Sequence, residues 1–150
     1  MKNDSYWMSL ALQEAEKAKI DNEVPVGAVI VKSEKILTSS YNKTISSVDP
    51  TAHAEVLAIR NASKVIKNHR ITDATLYVTL EPCLMCYGAI IQSRISRVVF
   101  GAYDKNTGVC GTCFDIEKFN CSNHKPAITG GVLETECSKI LTDFFKAKRI

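Results

Sequence analysis

With 150 residues and 45% hydrophobic content, the chain is long enough to bury one sizeable core, and it reads as a single domain over 1–150. No apolar run approaches the roughly 20 residues that cross a bilayer, which excludes a membrane-spanning helix. The net charge of +3 is too mild to single out a nucleic-acid partner from the chain as a whole.

Tyr6 to Ile20 carries Trp7, Leu10, Ala11, Ala15 and Ala18 at helical spacing, with Asp4 or Ser5 available as cap. The preceding residues lack the apolar core of a signal peptide, so the chain is expected in the cytoplasm, with its six cysteines reduced or metal-bound. Val26 to Val31 is an unbroken apolar run of strand length, which suits a strand covered on both faces. Ser33-Glu34 is a hairpin turn into Lys35 to Ser40.

A polar loop from Tyr41 to Pro50 leads to a helix that carries His53 and Glu55 and ends near Ile66. Thr51 is its candidate cap, and Leu57, Ile59 and Ala62 are its core candidates. Thr75 to Thr79 is the third strand, Cys83 to Ser93 the next helix and Arg97 to Gly101 the fourth strand. This alternation implies parallel crossovers. Ala127 to Thr129 adds a short strand, and Thr135 to Lys148 is an amphipathic helix with Cys137 as a core position. The expected fold is α/β, a mixed five-stranded sheet sandwiched between helices.

The chemistry concentrates in Thr79-Leu80-Glu81-Pro82-Cys83-Leu84-Met85-Cys86, a strand end turning into a helix. Pro82 suits the first helical position, two cysteines three apart share a face, and a helix N-terminus favours the thiolate that binds metal. Alone, Cys-x-x-Cys also describes a redox dithiol. His53 and Glu55, two apart in Thr51-Ala52-His53-Ala54-Glu55, separate the readings. His53, Cys83 and Cys86 supply three zinc ligands, the number in a catalytic centre whose fourth position is left to water. Glu55 is then free to carry protons. A closed structural zinc would leave Glu55 unused. Cys110-x-x-Cys113 with Cys121 and His124 has the look of a second metal cluster, but its glycine-rich loop argues against one, and one zinc per chain is expected.

From Lys139 onward, Lys139, Lys146, Lys148 and Arg149 outnumber Asp143 by three, equal to the whole charge excess. The segment is either a phosphate-facing element or a helix end whose cations suit the macrodipole.

His-x-Glu with Pro-Cys-x-x-Cys resembles the signature of the zinc deaminases that act on nucleobases. From about Trp7 to Arg149 the chain resembles the bacterial tRNA-specific adenosine deaminases in particular. The resemblance is carried by 23–29, 49–55, 75–83 with Met85-Cys86, Ser93-Arg94-Ile95, 97–102, Asn123-His124, 131–133 and Phe144-Phe145. It implies a cytidine-deaminase-like fold, a homodimer and hydrolysis of the wobble adenosine of an arginine tRNA with an ACG anticodon to inosine. By similarity Asn42 would bond the purine, the Ala54 backbone would contact the ring, and Asp104, Asn123, Phe144 and Arg149 would line the path of the tRNA anticodon arm. The sequence departs from the family in having Asn106 where a lysine is usual, with Lys105 displaced by one and Thr112 after Gly111. It also ends at Ile150 without the basic tail of many relatives, so weaker electrostatic affinity is expected. The rival enzyme is a free-base or nucleoside deaminase, acting on guanine or cytosine with the same zinc site.

Overall fold

The run Gly27–Lys32 forms β1, and its apolar character follows from the two layers of helix that cover it. Ala28 and Ile30 face one way, joining Leu76, Val78, Val98 and Phe100 beneath Ala54, Ala58 and Ile90. Val29 and Val31 face the other, with Tyr77 and Val99 beneath Trp7, Met8 and Ala11. Each fully buried Val or Ile contributes about 1.5–3 kcal/mol, so alternate residues of one strand hold both layers.

The computed structural model describes residues 1–119 and 122–149. Around β1 stand α1 (Asp4–Ile20), β2 (Lys35–Tyr41), α2 (Ala54–Ile66), β3 (Ala74–Leu80), α3 (Leu84–Ser93), β4 (Arg97–Ala102), β5 (Ala127–Thr129) and α4 (Glu134–Lys148). A 3-10 turn at Ile116–Lys118, which no sequence pattern announced, lies in the loop before β5. The strand order is β2-β1-β3-β4-β5. β1 is antiparallel to both neighbours, while β3, β4 and β5 run parallel, giving the mixed sheet expected. Ser33 and Glu34 close the hairpin with φ of 53° and 61°, the left-handed pair that matches strand twist in a two-residue turn. At Gly27 the backbone of α1 comes so close that a Cβ would overlap the Ala11 carbonyl and the Ala15 nitrogen.

Three helix starts differ from the sequence reading, each for a stated reason. Asn3 caps α1, its side chain accepting the Tyr6 N–H at 2.9 Å. Asp4 is the first helical residue, and its carboxylate accepts from two Arg97 nitrogens, at 2.8 and 2.6 Å, and from the Tyr77 hydroxyl at 2.9 Å. The cap position of α2 is His53, with no side-chain capping bond. Thr51 instead donates both its N–H and its hydroxyl to Asp49. α3 starts at Leu84 with Cys83 as cap, so Pro82 precedes the cap and does not open the helix. In α2 the inward face is built from small residues, Ala54, Ala58 and Ala62, while Leu57 and Ile59 are only partly buried. Cys137 is fully buried in α4, as expected.

Candidate active site

The starts of α2 and α3 are where the ligand candidates sit. His53 and Cys83 occupy the two cap positions and Cys86 lies in the first turn of α3. A cap residue and the third helical residue naturally face each other, which is how a Cys-x-x-Cys at this place brings two sulfurs to one point. His53 Nδ1 lies 3.7 Å from Cys83 Sγ and 3.5 Å from Cys86 Sγ. All three ligand atoms are within 4.8 Å of one another. Tetrahedral zinc with bonds of roughly 2.0–2.3 Å separates its ligands by about 3.5 Å, so the donor set and its spacing fit that metal.

The charges are arranged accordingly. A hydrogen bond from the Cys86 thiol pulls Cys83 down to about 4, against the effect of burial and with help from His53. Cys86 is pushed up, first as the donor in that bond and then by burial. The imidazole of His53 is raised by its contact with Cys83. Metal binding requires both thiols as thiolates and so displaces the protons they hold.

Glu55 follows two residues after His53 and is 4% exposed. Burial lifts its carboxyl to about 7, with the nearby Cys83 charge adding to the shift and its own backbone N–H opposing it. It borders a cavity of about 200 Å³ shared with His53, Ala54, Cys83, Asn42 and Asp104. Asn42 is 6% exposed, and its Nδ2 donates to the Val24 carbonyl at 3.3 Å. Its Oδ1 is buried without a hydrogen-bond partner. A buried acceptor left without a donor is costly.

Not every residue named from the sequence presents a free side chain to the cavity. The Asp104 carboxylate is occupied within its own loop, accepting the N–H groups of Asn106 and Thr107 and the Thr107 hydroxyl at 2.7 Å. Asn123 is exposed in a separate depression beside Gln92 and Arg94. Arg149 lies at the end of α4 near Phe145. Phe144, read as lining the RNA path, is 8% exposed and faces the core; the exposed aromatic at this place is Phe145, at 43%. Phe145, Tyr103 and Lys105 line a groove that shares Asp104 and Thr107 with the cavity.

Among the described residues, His53, Cys83 and Cys86 are the one group arranged to hold a metal. Cys121 lies outside the described residues. His124 is engaged elsewhere, its Nε2 lying 2.6 Å from the Ile95 carbonyl. Burial pushes the Cys110 thiol up to about 12. Sequence reasoning passed over Glu81, which also lines the cavity. The signal was an acidic residue directly after a β-prone run.

Residues 1–102 match the family model for the cytidine and deoxycytidylate deaminase zinc-binding region. The chain belongs to that family. Within it the chain stands with the tRNA-specific adenosine deaminases, as the sequence resemblance implied. The one from Buchnera aphidicola subsp. Baizongia pistaciae is 50% identical over 147 residues, 98% of this chain and 91% of its own. A solved structure from work on A-to-I editing by tRNA:A34 deaminases at the wobble position of transfer RNA matches with a TM-score of 0.88 at 39% identity. It covers 91% of this chain and 99% of its own. The guanine deaminase of Bacillus subtilis is more distant, at 32% identity and a TM-score of 0.67 over 99% of this chain and 94% of its own. Among the described residues, no helix is long and apolar enough to cross a membrane.

Proposed function

We propose that residues 1–150 form one deaminase domain that hydrolyses the wobble adenosine of a tRNA anticodon to inosine, with release of ammonia. The substrate we assign is an arginine tRNA with an ACG anticodon. The observation that carries this reading is a buried carboxylate, Glu55, beside a three-ligand set to which it does not belong, at the edge of a cavity.

His53, Cys83 and Cys86 would hold one zinc per chain. Bound there, zinc supplies a water whose pKa is lowered to about 7. Glu55 takes a proton from the attacking water and passes it to the ring nitrogen beside the amino-bearing carbon. It then delivers the second proton to the departing amine, so that water and adenosine become ammonia and inosine. Its position outside the ligand set leaves it without a metal bond, as both transfers require. We assign to Asn42, whose Oδ1 has no hydrogen-bond partner, acceptance of a hydrogen bond from the purine, and to the Ala54 backbone a contact with the ring; both residues line the cavity.

The target base must leave the stack to reach this depth, as loop bases can. Beyond the cavity we assign the anticodon arm to Asp104, Asn123 and Arg149, with Phe145 taking the aromatic role first given to Phe144. Phe145 is the exposed member of that pair, which supports the exchange. We also take the protein to be a cytoplasmic homodimer. The exposed apolar side chains of Leu84 and Met85, beside the ligand cysteines, support a protein partner there.

Incubating the zinc-loaded protein with unmodified ACG-anticodon tRNA, and separately with free adenosine, cytosine and guanine, tests the reading. Inosine should form in the tRNA, with no turnover of the free compounds. Turnover of a free base with none of the tRNA would favour the free-base deaminase, which uses the same centre.

A further inference from the structure

The mechanism above leaves one buried carboxylate at the cavity unused. Glu81 is 2% exposed and directly follows β3, two residues before Cys83. Its Oε1 accepts the Asp104 N–H at 3.0 Å, and its Oε2 accepts the N–H groups of Cys110 at 2.9 Å and Thr112 at 3.3 Å. Burying a carboxyl is costly, and these backbone donors offset the cost. They also belong to one irregular loop, which gains from Glu81 the partners that a strand or helix would have supplied.

The same contact is tight. A Cβ at Gly108 would run into the Glu81 carboxyl and the Asp104 carbonyl. The Val109 N–H donates to the Pro82 carbonyl at 3.1 Å, so the loop is tied to both residues just ahead of Cys83. Asp104 and Thr107, from this loop, line the cavity with Glu81.

We infer that Glu81 is a positioning residue, which pins loop 104–112 against the turn bearing Cys83 and so fixes the wall of the cavity that receives the base. It carries no proton in the reaction, because both its oxygens are engaged by backbone donors. The inference rests on the deaminase reading for its kinetic consequence and on the loop itself for its structural one. Glutamine keeps a single acceptor oxygen. Whichever way its amide turns, an NH2 faces either the Asp104 N–H or the N–H groups of Cys110 and Thr112. Glu81→Gln should therefore fall between the parent and Glu81→Ala.

The experiment compares Glu81→Gln, Glu81→Ala and Gly108→Ala with the parent in three readouts: zinc content, amide hydrogen exchange across 104–112, and kcat and KM on the ACG tRNA. Faster exchange in 104–112 is expected, with the core strands protected and zinc retained. The KM should rise about tenfold in Glu81→Ala and less in Glu81→Gln, while kcat stays within about twofold, the pattern of lost uniform binding. Gly108→Ala should reproduce the KM rise with the carboxyl intact, and it serves if Glu81→Ala does not fold. A fall in kcat at unchanged KM with unchanged loop exchange would overturn the inference and make Glu81 part of the chemistry. Loss of zinc or of core protection in Glu81→Gln and Gly108→Ala alike would overturn it in favour of a purely structural role. If the parent makes no inosine, the functional reading fails by itself. The exchange of 104–112 then still decides whether Glu81 pins the loop.

Discussion

Replacing Lys146, Lys148 and Arg149 together with Ala should flatten the salt dependence of tRNA binding. Of the four cations from Lys139 onward, Lys139 is already paired with Asp143 at 2.6 Å on the next turn of α4. The other three have no ion-pair partner among the described residues, and Lys148 rests its ammonium 5.5 Å from the ring centre of Phe144. Three phosphate contacts are thus available. Each changes the slope of log affinity against log salt by about 0.7 in a single-stranded loop and about 0.9 in a duplex stem, so together they account for about 2 to 3. Between about 50 and 200 mM salt, the parent should lose roughly 20- to 40-fold more affinity than the triple variant. Filter binding over a salt series measures this, with Lys139→Ala as a control whose slope should stay at the parent's value. Turnover at saturating tRNA should change little, because these contacts position the substrate. An unchanged slope in a triple variant that still folds would refute the reasoning and leave a solvated helix end.

Glu55→Ala should keep zinc and RNA binding while losing roughly 10²–10⁴ in kcat, as for a general acid–base; release of the metal in that variant would make Glu55 a ligand instead. Metal analysis should give about one zinc per chain; two, falling to one in Cys110→Ser/Cys113→Ser with activity retained, would reveal a second site. Hydrogen bonds from Arg97 hold the Asp4 carboxyl below its usual value against partial burial, and Tyr77 adds to the effect. Because its folded pKa is depressed, Asp4 contributes stability above its unfolded pKa of about 3.9 and loses it as pH falls through the lower folded value. Asp4→Asn should therefore unfold at lower urea than the parent at pH 7, with the gap closing below about pH 3. A gap of equal size at every pH would show that the ion pair adds nothing.

The parts of the molecule written in local pattern were legible from the sequence. Val26 to Val31 read as a doubly covered strand because both of its faces are apolar, and β1 is one. His53, Cys83 and Cys86 could be grouped because each belongs to the start of a helix and their chemistry admits few other uses together. What depended on distant partners was not legible. Asn3 caps α1 while Asp4, the candidate, is bound by Arg97, 93 residues away. Glu81 meets its donors 23, 29 and 31 residues downstream, in a loop with no periodicity to announce it. Phe144 and Phe145 are neighbours whose side chains leave the helix about 100° apart. The sequence supplied two aromatics, and only packing chose which one faces the core.

Mapping inosine base by base tests the central claim most directly. After incubation of the zinc-loaded protein with unmodified ACG tRNA, reverse transcription reads inosine as guanosine. The account predicts conversion at the first anticodon base alone, absent with Glu55→Ala. Conversion spread over other adenosines of the tRNA, or none at the anticodon with zinc fully bound, would contradict it.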